Sequence, residues 1–82
     1  MTQTEIQQIY EYLNEVKDAL YDPDIGPVSW QAELAKLEET ITELTAATVQ
    51  TEDGVDRVKL AYLEMKARNC RECITKLMGR QN

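Results

Sequence analysis

Apolar residues recur at alternating three- and four-residue steps in three stretches of this 82-residue chain. They are Ile6, Ile9, Leu13, Val16 and Leu20; then Trp30, Leu34, Leu37, Ile41 and Leu44; then Leu60, Leu63, Ala67, Cys70, Ile74 and Leu77. An α-helix turns by ~100° per residue, so each set falls along one side of a helix. No stretch of comparable length alternates with a period of two, the signature of a half-buried strand. The chain therefore reads as all-α.

Local signals place the helix ends. Thr2 and Glu5 have the spacing of a capping box, so the first helix is expected over about 3–21, stopped by Asp22-Pro23 because the residue before proline is driven out of the α region. The segment 22–28 holds both prolines and is expected to form a fixed turn. Ser29 is the expected N-cap of a second helix over about 30–50. After the break at Thr51–Gly54, Asp53 and Asp56 mark the start of a third helix over about 54–78, which Gly79 is expected to stop. At 1.5 Å per residue the third helix is ~38 Å long and overhangs the second at ~30 Å. Both connections are short, which predicts antiparallel neighbours with coiled-coil-like packing: a hairpin of helices two and three plus an N-terminal helix. A chain this short forms one domain, residues 1–82, and buries only ~60% of its unfolded surface, so a partner would add stability it lacks alone.

Charge divides the chain. Residues 1–53 hold 12 Asp and Glu against Lys17 and Lys36, or −10; residues 54–82 hold 7 Lys and Arg against three acids, or +4; the sum is −6. The simplest consequence is a basic third helix packed on two acidic ones. An acidic partner or nucleic acid for the third helix is the sharper reading, and a DNA mimic or inhibitor acting through helices one and two is the rival built on the acidic half. With a pI near 4.5 and basic residues scattered around the third helix, nucleic acid is not an expected partner. No stretch reaches the ~18 apolar residues that span a bilayer, and the polar, acidic start Thr2–Glu5 is not that of a signal peptide, so no membrane association and a cytoplasmic or virion-associated location are expected.

The third helix has a second stripe: Val55, Val58, Tyr62, Met65, Asn69 and Cys73. At ~100° per step it lies away from Leu60, Leu63 and Ile74. Either helices one and two occupy both apolar sides, or both pack on the Leu60–Leu77 side and leave this stripe as a partner interface. Tyr and Met are enriched where interfaces bury surface, so these six residues are the candidate site.

Nothing in the chain carries a catalytic constellation, so no enzyme activity, substrate or cofactor is expected. There is no His. Cys70-Arg71-Glu72-Cys73 has metal-site spacing, yet tetrahedral zinc needs four ligands and these two thiols fall on apolar stripes inside a helix, where Cys acts as a small hydrophobe. Asp22, Asp24 and Glu33 fit the first, third and twelfth places of a calcium loop, but Pro27 stands where that loop needs glycine and Val28 and Trp30 stand where it needs oxygen ligands. Glu38, Glu39 and Glu43 point away from the apolar stripe of the second helix, as a solvated face does.

Trp30, Leu34, Leu37, Glu38, Ile41 and Leu44, a short break and another amphipathic helix resemble the small subunit of exonuclease VII. The resemblance covers about the last two-thirds of the chain and implies a helical hairpin bound to a larger catalytic protein. The chain departs from that pattern at Ala47 and Leu63, where glycines are usual, and in its first helix. The function expected from the residues themselves is a non-enzymatic helical interaction or assembly module, such as an accessory subunit, a chaperone or a viral assembly component. It would bind itself or a larger protein through apolar helix faces.

Overall fold

The structure is a computed structural model that describes residues 1–22, 24 and 29–80. Three helices account for nearly all of these: α1 (Gln3–Tyr21), α2 (Trp30–Gln50) and α3 (Gly54–Arg80). Among the described residues there is no strand. The anticipated boundaries of α1 and α2 hold. The turn expected over 22–28 lies, apart from Asp22 and Asp24, outside the described residues.

Side chains close each helix start. The Thr2 hydroxyl accepts from the Glu5 amide at 3.2 Å while the Glu5 carboxylate accepts from the Thr2 amide at 3.2 Å, completing the capping box. These bonds to Thr2 hold the Glu5 carboxyl below its ordinary pKa. Ser29 accepts from the Ala32 amide at 3.2 Å, and Asp53 accepts from the amides of Val55 and Asp56 at 2.9 and 3.0 Å. Each bond satisfies an amide that the first helical turn leaves without a partner. Asp22 is extended (φ −128°, ψ 93°), the conformation that a following proline imposes. The expected stop at Gly79 is not observed: α3 continues to Arg80, and no glycine has a positive φ among the described residues. Glycine permits the left-handed stop without forcing it. A Cβ at Gly79 would meet nothing within 4 Å, so no packing demands a turn there.

Buried side chains come from one stripe of each helix: Ile6, Leu13 and Val16; Leu37, Ile41, Leu44 and Ala47; Leu60, Leu63, Ala67, Cys70 and Ile74. They form one contiguous core, with Ile9, Leu20, Trp30, Leu34 and Met78 half-buried at its margin. α3 packs extensively on both other helices, whereas α1 and α2 touch more sparingly. Alternating chain direction makes α1 parallel to α3, as two side-chain bonds show. Gln3 donates to Asp56 at 2.9 Å, and Lys66 donates to the Asn14 carbonyl oxygen. At 27 residues α3 is ~40 Å long, close to the 44 Å long dimension of the molecule.

Polar bonds complete the packing. Thr45 donates to Glu64 at 2.8 Å across the α2–α3 seam, and Glu64 pairs with Arg68 at 2.8 Å. The Arg68 bond first, then the Thr45 hydroxyl, lower the Glu64 pKa. That contribution is present above the ordinary carboxylate range and is lost as pH falls through the folded-state value. Thr40, Thr42, Thr48 and Thr51 return their hydroxyls to the carbonyl four residues earlier, at 2.7–3.0 Å. This lets Thr40 be buried without an orphaned oxygen.

Leu13, fully buried, joins α1 to this core. Leu13→Ala is expected to lower unfolding free energy by ~2–4 kcal/mol, a large share of what a small domain has. Urea denaturation followed by circular dichroism measures it; an unchanged midpoint would mean that α1 adds nothing to the core.

Candidate functional site

With α1 and α2 both seated on the Leu60–Ile74 side, the second stripe of α3 is left uncovered. Val55 is 65% exposed, Val58 71%, Tyr62 50% and Met65 54%, and Asn69 and Cys73 are exposed beyond them. The alternative in which α3 is sandwiched between the other two helices does not occur. The stripe is not uniformly open to solvent, however. Tyr62, Met65, Asn69 and Cys73 form one wall of a groove of about 550 Å³, whose other wall is Lys17, Leu20 and Tyr21 of α1. Val55 and Val58 lie outside it, toward the start of α3.

The groove arises from helix lengths and side-chain sizes. α1 ends at Tyr21 while α3 runs on past Leu77, and the small Cys70 sits at the floor between the larger Met65 and Leu77. Lys17, Lys66 and Lys76 stand around it. Lys66 is fixed by its bond to Asn14 and by the Tyr10 ring, whose centroid is 5.0 Å from the ammonium. Lys76 pairs with Glu72 at 3.2 Å, both side chains being well exposed. The sequence reading found the α3 wall but missed these lysines and the α1 wall. They belong to no single periodic stripe, and only the packing of α1 beside α3 brings them together.

The two cysteines are unlike. Cys70 is buried and reduced, and burial, with a smaller effect of Cys73, pushes its thiol pKa up. A raised thiol pKa disfavours the thiolate needed for nucleophilic or metal-ligand chemistry. Cys73 is exposed and free. Among the described residues no three His, Cys, Asp or Glu side chains converge as metal ligands. Glu33, the twelfth place of the calcium frame, instead accepts from the Tyr12 hydroxyl at 2.6 Å across the α1–α2 seam. Lys36 lies 4.4 Å from the Tyr12 ring centroid. Burial first, then the Glu33 carboxylate, raise the Tyr12 pKa far above the ordinary tyrosine value.

Comparison with protein-family models, curated proteins and solved structures found no match. The resemblance to the exonuclease VII small subunit therefore gains no support from any family model. No described helix is long and apolar enough to cross a membrane.

Two measurements probe this geometry. A thiol reagent should label Cys73 rapidly in the native protein and Cys70 only at the rate of unfolding; equal rates would contradict the burial of Cys70. For Tyr12, a folded-state pKa above the unfolded value of 10.0 means its stabilisation is present below pH 10 and lost as pH rises through the folded value. Tyr12→Phe should cost ~1 kcal/mol at neutral pH and flatten the fall in melting temperature above pH 10. An alkaline limb as steep as the wild type's would place the titrating group elsewhere.

Proposed function

We propose that this chain is a non-enzymatic helical interaction module that joins a partner protein, or a second copy, through the outer face of α3. The observation that carries this reading is the uncovered run Val55, Val58, Tyr62 and Met65, at 50–71% exposure along a helix whose opposite side is core. Single exposed apolar residues are ordinary on protein surfaces, whereas a contiguous apolar patch marks an interaction site. Tyr62 supplies an amphipathic ring and Met65 an adaptable, polarisable chain, both types enriched in interfaces. A domain of this size also benefits energetically from a partner that covers its remaining apolar surface.

The test places opposite charges in the stripe. Tyr62→Glu with Met65→Lys should abolish self-association in sedimentation, or binding of the co-purifying partner, while helicity by circular dichroism is unchanged. Both residues are at least half exposed, so a charged side chain there can stay in water. Unaltered assembly would move the interface to the acidic faces of α1 and α2. That alternative is recognised by binding that weakens as salt shortens the screening length from ~8 Å at physiological ionic strength.

A further inference from the structure

We propose that the groove between α1 and α3 receives an acidic amphipathic helix of a partner protein. The proposal rests on the interaction-module reading and names the partner's chemistry. The chain has 15 Asp and Glu, yet none of them lines this groove of about 550 Å³. Nor does any line the adjoining depression of about 260 Å³, which carries Lys59 and Tyr10 and shares Tyr62 with the groove. Four lysines therefore stand along the α1–α3 seam of an otherwise acidic molecule. The contacts of Lys66, the Asn14 amide and the Tyr10 ring, are neutral; they aim its ammonium without cancelling it. Glu72 partly offsets Lys76, in an ion pair whose members are 67% and 65% exposed and thus exchangeable. Lys17 has no carboxylate within ion-pair distance among the described residues. Between these charges the lining includes apolar Leu20, Met65, Cys70 and Leu77.

Apolar side chains rimmed by ammonium groups complement an apolar helix face edged with carboxylates. From Lys59 to Lys76 the seam follows α3 for ~26 Å, the length of a helix of about five turns. A small anionic amphiphile would favour an enclosed pocket that buries most of its surface, whereas this groove is only partly enclosed. A two-fold pair that met groove to groove would set the same lysines against one another, which disfavours that arrangement of two copies.

The probe is a synthetic amphipathic helix of about eighteen residues, with leucines at helical spacing flanked by glutamates, together with its lysine-flanked counterpart. Calorimetric titration into the intact protein should show the glutamate peptide binding at least about tenfold more tightly than the lysine peptide, the preference fading as salt is raised. Lys17→Glu, Lys66→Glu and Lys76→Glu together should invert the preference. The milder Lys17→Gln with Lys76→Gln variant should reduce it without touching the Asn14–Lys66 contact. Equal affinity for both peptides, or no binding of either, would overturn the proposal. So would saturable binding of laurate with no peptide binding, which would assign the groove to a small amphiphile. The two readings fail separately. Assembly that is lost in the Tyr62→Glu, Met65→Lys variant but kept in the triple lysine reversal leaves the module standing and removes the acidic helix.

Discussion

Everything else in this molecule depends on the burial of one side of α3 against two helices at once. Leu60, Ala67 and Ile74 have no exposed surface, and Leu63 and Cys70 have almost none. Burial of a leucine or isoleucine side chain is worth ~1.5–3 kcal/mol, so this one row rivals the net stability of a small domain before its opposing entropy is counted. Because α1 and α2 converge on the same row, the opposite row is left in water. The exposed stripe is thus a by-product of how the core is satisfied: a third helix of 27 residues has more apolar surface than two shorter neighbours on one side can cover.

Electrostatics plays a secondary part in holding the helices together. The two ion pairs among the described residues, Glu64–Arg68 and Glu72–Lys76, both lie within α3. Polar contacts between helices among the described residues are hydrogen bonds with at most one charged partner, Gln3 to Asp56, Lys66 to Asn14, Thr45 to Glu64 and Tyr12 to Glu33, and the lysine–ring contacts of Lys36 with Tyr12 and Lys66 with Tyr10. Such bonds fix register and contribute ~1 kcal/mol or somewhat more each. The opposite charges of the two halves of the chain are therefore not consumed as ion pairs at the helix seams, and lysines remain available along the α1–α3 furrow.

Much of this architecture was legible in the residues. Thr2, Ser29 and Asp53 mark helix starts because their side chains can satisfy amides that the first turn cannot, and each does so. The core rows follow from helical period alone, since Leu13, Leu37 and Ala67 sit in mid-stripe and are fully buried. Gly79 misled because glycine's conformational freedom allows a stop that nothing in its surroundings requires. The groove was legible only in its α3 wall. Period identifies Tyr62 and Met65 as one face of α3, but the azimuth at which α1 docks, and hence the meeting of Lys17 with Lys66 and Lys76, is a tertiary choice. So is the Tyr12–Glu33 bond, which joins residues 21 positions apart.

The central claim, that α1 and α2 share one side of α3 and leave the other bare, is most directly tested by methyl NMR. A soluble paramagnetic relaxation agent would be added at a concentration of protein low enough to keep it monomeric. The account predicts strong broadening of the Val58 and Met65 methyl signals, with Leu13, Leu60 and Ile74 protected. Val58 and Met65 methyls as protected as that of Leu60 would contradict it, because one of the other helices would then have to lie across the outer face of α3.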